Sequence, residues 1–265
     1  MRTDDDLIRF EAEGLAVPAG GEPWTVENDG ARIWYAAYGT GKPVILLHGG
    51  MGHSGNFYKQ INDFVARGQR VIVVDSRGQG RSSWDRRPYS YELMGSDVFA
   101  VMDRLGVPRA AIVGWSDGAC IGLVMAKAKP ERVAGVFFFA CNVDGTGTLP
   151  FEATPEIDRC FARHVKDHAS LSPDPHGFQK MADALQLMQR EHPNYTAADL
   201  ASVAVPVTVA LGENEEFIRP EHAKYIATTI PGARFVELPG VSHFAPIQRP
   251  DVFNAAVLSF LRDLN

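Results

Sequence analysis

The stretch "GWSDG" (114–118) places Ser116 midway between Gly114 and Gly118. The apolar run "AAIVGW" precedes it and a segment of helical period follows, so G-x-S-x-G falls at a strand-to-helix junction. A turn that tight strains the serine backbone and leaves no room for side chains two residues to either side. Such a turn exposes the hydroxyl at the carboxyl edge of a sheet, beside the positive N-terminus of the next helix. The chemistry this predicts is nucleophilic attack by Ser116.

A serine hydroxyl is a weak nucleophile at neutral pH and needs a general base, itself held by a third group. His243, in "PGVSHFAP", stands in a loop after the last strand-like run and just before the final helical segment, where a base belongs. The acid is expected from "LGENEEFI", where Glu215 stands three residues past Gly212, with Glu216 and Glu213 as alternatives. A carboxylate there would fix the histidine tautomer and stabilise the imidazolium formed in the transition state. The oxyanion hole needs two N–H donors. Asp117 supplies one, and "HGGMGHSGNF" (48–57) supplies the other through Gly50, with Met51 as the alternative. His48 reads as a structural residue orienting that loop. The Asp117 side chain reads first as a cap on the following helix, and second as a partner for a cationic amine on the substrate.

The elements that must position these residues follow a simple alternation. "EPWTVENDGARIWYAAYG" predicts a hairpin turned at "NDG". Buried strands are predicted at "PVILLH", "RVIVVD", "AAIVGW" and "RVAGVFFFA", with helices at "SGNFYKQINDFVARG" and "SYELMGSDVFAVMDRLG". The alternation resumes near Pro206 with "PVTVALG", a helix through "EHAKYIATTI", the strand "ARFVELPG" and a last helix from Asp251. The strand signal vanishes between these halves. The expected division is therefore a core of residues 1–144 and 202–265, with a helical cap at 145–201. Phe178, Met181, Leu185 and Met188 recur at helical spacing in the cap. Such a stripe glues the helix down and could also roof the pocket, so Phe178 and Met181 join Met51 and Trp115 as candidate substrate contacts. Trp115 and Phe137 to Phe139 are also assigned to the core.

Composition narrows the function classes. The formal net charge of -6 and the lack of clustered Lys and Arg disfavour nucleic acid as the main partner. The opening "MRTDDDLIRF" is acidic where a signal peptide would be basic, and no apolar run approaches the ~20 residues of a membrane helix. Three cysteines, Cys120, Cys141 and Cys160, without metal-ligand spacing suit a reducing compartment, so the expected location is the cytoplasm. None of the three reads as catalytic. "DSRGQGRSS" (75–83) lacks the Lys-Ser/Thr of a phosphate loop and reads as the loop after the fourth strand, turned by Gly78 and Gly80. His164 and His168 have i,i+4 spacing without the glutamate of H-E-x-x-H, and with His176 and His192 they read as solvated. No cofactor and no metal is expected.

"HGG", "DSRGQGRS", "GWSDG", "GENEEF" and "GVSHF" occur in one order and spacing that resembles the α/β-hydrolase superfamily across nearly the whole chain, the cap excepted. The resemblance implies a mostly parallel eight-stranded sheet flanked by helices, with the cap inserted after the sixth strand. It also implies a triad of Ser116, Glu215 and His243, with glutamate where most relatives carry aspartate. Dehalogenase and epoxide hydrolase chemistry is disfavoured, because those relatives need an aspartate at the elbow. The elbow is similar to that of the biphenyl hydrolase-like group, which includes valacyclovir hydrolase and prefers esters of small amino acids, although that group lacks "HGG". The expected activity is hydrolysis of a small carboxylic ester, less readily an amide or thioester, through an acyl-enzyme. The alternatives are non-hydrolytic use of the same triad and a receptor-like protein with little turnover.

Overall fold

A computed structural model describes residues 6–264; the acidic opening at 1–5 lies outside the described residues. Eight strands form one sheet: β1 (Glu22–Asn28), β2 (Ala31–Tyr38), β3 (Lys42–Leu47), β4 (Gln69–Val74), β5 (Ala110–Trp115), β6 (Val133–Phe139), β7 (Val207–Asn214) and β8 (Arg234–Ser242). Their spatial order is β1-β2-β4-β3-β5-β6-β7-β8. β1, β2 and β4 pair antiparallel, and every pairing from β4 through β3 to β8 is parallel. Ten helices accompany it among the described residues: α1 (Leu7–Glu13), α2 (Tyr58–Ala66), α3 (Tyr91–Arg104), α4 (Asp117–Ala128), α5 (Pro155–Leu171), α6 (Phe178–Glu191), α7 (Ala197–Ala201), α8 (Pro220–Thr229), α9 (Ala245–Gln248) and α10 (Pro250–Asp263).

The local sequence explains these elements. Asp29 and Gly30 both take positive φ (45° and 83°) and close the β1–β2 hairpin in two residues. β5 is buried at every position, as a central parallel strand covered on both faces requires. The Ser90 hydroxyl accepts from the Leu93 N–H and caps α3, and the Thr154 hydroxyl caps α5 through the Ile157 N–H. The segment predicted as one helix from Ser54 starts as a 3-10 turn over Ser54–Phe57, capped by the His53 ring, before α2 begins at Tyr58.

The core is continuous from α1 to α10. Phe253 on α10 meets Phe137 and Phe139 of β6 edge-to-face at 5.7 and 5.3 Å, which docks the last helix on the sheet. Truncating one such ring to alanine costs about 3 to 5 kcal/mol. Between β6 and β7 the chain forms α5, α6 and α7 and no strand. α1, grouped by sequence with the core, packs mainly on α5 of this inserted segment.

Candidate active site

Ser116 sits between β5 and α4 at φ 54° and ψ -124°, a left-handed conformation that strains a residue bearing a Cβ. Its N–H donates to Phe139 O at 2.8 Å, and its own carbonyl accepts the Ala119 N–H at 2.7 Å, so both flanks of the turn are tied. A Cβ on Gly114 would overlap the α4 backbone at Gly118 and Ala119, and one on Gly118 would overlap the Leu47 carbonyl at the end of β3. The two glycines therefore let helix and strands close around the serine.

His243 follows β8 and is 6% exposed. Its Nδ1 lies 2.6 Å from Glu215 Oε1, which also accepts the Phe217 N–H at 3.0 Å. Glu216 takes a different group, the backbone N–H of His243 at 2.8 Å, and Glu213 turns away to accept the Gly240 N–H at 2.7 Å. The three carboxylates that sequence left as alternatives thus occupy three positions, with Glu215 alone on the ring nitrogen. Burial would lower the His243 pKa, but the Glu215 charge and hydrogen bond, then the Glu216 and Asp117 charges, outweigh it and hold the pKa above its usual 6.5. Donation from Nδ1 to Glu215 leaves the Nε2 lone pair free to take a proton. Phe217 packs edge-on against the imidazole at 4.6 Å and fixes its plane.

The loop after β3 supplies the opposite wall. Gly49, Gly50, Met51 and Gly52 line the same cavity as Ser116 and His243. A Cβ at Gly50 would fall 2.6 Å from Asp117 Oδ2 and 2.9 Å from Gln189 Nε2, so a side chain there would have to displace the Asp117–Gln189 contact. Met51 adopts φ 65°, bending the loop over the cavity. His48 holds the loop: its Nε2 accepts the Ser76 N–H at 3.0 Å and its Nδ1 donates to Gly49 O at 2.7 Å. Burial lowers its pKa to about 4, which keeps it neutral and structural.

The Asp117 side chain departs from the expected helix cap. It is 3% exposed, and its Oδ1 accepts the Tyr91 hydroxyl at 2.8 Å while Gln189 Nε2 donates to Oδ1 and Oδ2 at 3.2 and 3.0 Å. Burial raises its pKa, opposed by these two hydrogen bonds and by His243. The carboxylate lines the cavity and ties the elbow to α6. No sequence signal pointed to Gln189 or Tyr91.

The cavity measures about 740 Å³ and is mostly apolar, with Trp115 and Met51 among its walls as expected. Phe178 and Met181 do not line it, which corrects the sequence reading. Met181 is 2% exposed within the core, and Phe178 packs edge-on against His168 at 5.6 Å. The apolar stripe of α6 faces inward to the fold, so its neighbouring face, with Gln186, Gln189 and Arg190, meets the cavity instead. His164 and His168 correct another expectation. They are 3% and 5% exposed, and His164 lines the cavity with its pKa lowered to about 3 by burial. Both lie on the buried side of the amphipathic helix α5; His176 is exposed as read and His192 half-buried. No metal-binding group of His, Cys, Asp or Glu occurs among the described residues, and no described helix is long and apolar enough to cross a membrane.

Comparison with known proteins bears on the family to which this fold belongs. A family model described as alpha/beta hydrolase fold matches residues 42–197, more than half of the chain. "Putative carbamate hydrolase RutD" of Azorhizobium caulinodans is 27% identical, with 89% of this chain and 97% of that protein covered. The 2-hydroxy-6-oxo-6-phenylhexa-2,4-dienoate hydrolase of Burkholderia cepacia is 25% identical over 87% of this chain and 91% of its own. A solved structure described as Est816, an N-acyl homoserine lactone degrading enzyme, superposes with a TM-score of 0.70 at 28% identity, covering 89% of this chain and all of that one. The matched stretch runs from the start of β3 past β6 and includes the strained turn at Ser116, and with these relatives it leads to one assignment: this chain belongs to the alpha/beta hydrolase family and is a hydrolase.

Proposed function

We propose that the protein hydrolyses a small carboxylic ester through an acyl-enzyme, with Ser116 as nucleophile, His243 as general base and acid, and Glu215 as the residue that orients His243. The contact of 2.6 Å between Glu215 Oε1 and His243 Nδ1, in the cavity that also holds Ser116, carries this reading. His243 Nε2 takes the Ser116 proton as Oγ attacks the ester carbonyl, and it returns that proton to the leaving alcohol. Water then attacks the acyl group with the same base activating it. The oxyanion is assigned to the N–H groups of Asp117 and Gly50, each such donor contributing about 3 to 4 kcal/mol to the transition state.

A cavity of about 740 Å³ suits a ligand of modest size, and its predominantly apolar wall favours an uncharged acyl or alkyl portion. The lactone named for Est816 is itself an ester, which supports this class. The Burkholderia relative's name supports a second reading, hydrolysis of a carbon–carbon bond in an acidic dienoate by the same residues.

The test is turnover of p-nitrophenyl acetate and butyrate by the wild type and Ser116→Ala, with intact mass after exposure to a fluorophosphonate. Turnover and a single adduct, both lost in the variant, are expected. Turnover that survives in Ser116→Ala would overturn the assignment.

A further inference from the structure

Cys120 and Cys141 stand outside the machinery assigned above, and both are buried free thiols. Cys120 lies in the first turn of α4, four residues past Ser116, and Cys141 lies two residues past the end of β6. Their Sγ atoms are 2.9 Å apart, about 0.9 Å beyond the ~2.0 Å of a disulfide bond.

The backbone holds this approach in place. Ala140 takes φ 55°, strained for a residue with a Cβ, and its N–H donates to Ala210 O at 3.0 Å. The chain thereby turns out of β6 beside α4. The Cys120 S–H donates to Asn142 O at 3.0 Å, which leaves its sulfur lone pairs for Cys141. Burial, then the hydrogen bond with Cys141, raises the Cys120 pKa and keeps that thiol protonated at rest. Access is unequal. Cys141 lines the large cavity, whereas Cys120 sits behind it.

We propose that Cys120 and Cys141 form a two-electron oxidation site, in which a peroxide entering the cavity oxidises Cys141 and Cys120 then closes a disulfide. The Cys141 sulfur attacks one peroxide oxygen, the O–O bond breaks, and one water leaves as Cys141 becomes a sulfenic acid. The Cys120 sulfur attacks the Cys141 sulfur, the S–O bond breaks, and the released hydroxide takes the Cys120 proton as a second water. Two thiols lose two electrons and two protons, and the peroxide becomes two waters. The product staples the nucleophile helix to the segment leaving β6. This chemistry requires no ester turnover, so it stands or falls separately from the proposed hydrolysis.

The experiment is exposure of the folded wild type to stoichiometric hydrogen peroxide, acid quench, denaturation, alkylation with N-ethylmaleimide and peptide mapping. Alkylated cysteines are expected to fall from three per chain to one, Cys160, with a linked peptide pair joining Cys120 to Cys141 and recovery of all three after dithiothreitol. Cys120→Ser is expected to stop at the sulfenic acid, trapped by dimedone on Cys141. Three alkylated cysteines after peroxide, a link through Cys160, or accumulation of sulfinic Cys141 in the wild type would each overturn the proposal. The wild-type map alone decides the matter should a variant fail to fold.

Discussion

Glu215 and His243 meet through one carboxylate oxygen and Nδ1 at 2.6 Å, while the adjacent Glu216 holds the same histidine by its backbone N–H. The two glutamates therefore separate by experiment. Glu215→Gln leaves an amide that cannot fix the tautomer or balance the imidazolium, and kcat should fall by about 10³ to 10⁴. Glu216→Gln keeps an acceptor for the backbone N–H and should cost less than about tenfold. Steady-state kinetics on one ester compares them, and a larger loss in Glu216→Gln would reverse the assignment.

On the role proposed for His243, its raised pKa sets the acid limb of the rate profile. Protonated His243 cannot accept the serine proton, so kcat/KM should rise with pH and reach half its maximum above pH 6.5. Removing the Glu215 charge should move the residual activity's midpoint to lower pH. A wild-type midpoint well below 6.5 would contradict the origin given for the shift.

Gly118→Ala forces a methyl group onto the Leu47 carbonyl, backbone that has no means of yielding. The loss should exceed about 3 kcal/mol, seen as insoluble protein or the loss of a cooperative urea transition. Gly145→Ala, which meets nothing within 4 Å, should stay within about 0.5 kcal/mol of wild type.

Gln189→Leu removes the donors that α6 offers to the buried Asp117 carboxylate. A stability loss of about 1 to 3 kcal/mol is expected by urea unfolding. Gln186→Leu, three residues earlier on the same rim of α6, should change stability by less than about 0.5 kcal/mol. Equal effects would mean that the Asp117–Gln189 contact contributes nothing.

His164 carries a pH dependence of stability. Its folded pKa is about 3, below the 6.5 of an unfolded histidine, so only the unfolded chain takes up the proton between these values. The contribution is zero above about pH 6.5 and increasingly destabilising below it, reaching roughly 2 kcal/mol at pH 5. His164→Gln should show a correspondingly smaller drop in unfolding free energy between about pH 7.5 and pH 5. An unchanged drop would place the titration elsewhere.

The strands were legible because a parallel sheet covered on both faces demands unbroken runs such as "AAIVGW", and the elbow because Gly114 and Gly118 admit no side chain. The inserted segment was less legible. Helical periodicity in α6 shows that Met181, Leu185 and Met188 are buried, but not that the face beside them meets the cavity. The same limit hid His164, whose place on the buried side of α5 follows from packing rather than from its polarity. Asp117 was misread because capping is a local rule, whereas its partners come from Tyr91 and Gln189, 26 and 72 residues away.

The order of strands along the chain has a consequence for biosynthesis. The serine turn follows β5 near the middle of the chain, whereas Glu215 and His243 follow β7 and β8 at the far edge of the sheet. On the roles proposed for them, a growing polypeptide carries its nucleophile long before it carries anything able to activate it. The half-made protein is chemically inert toward esters. Ribosome-bound chains arrested just before β7 should therefore fail to react with a fluorophosphonate, and labelling should appear only once the sequence through His243 has emerged.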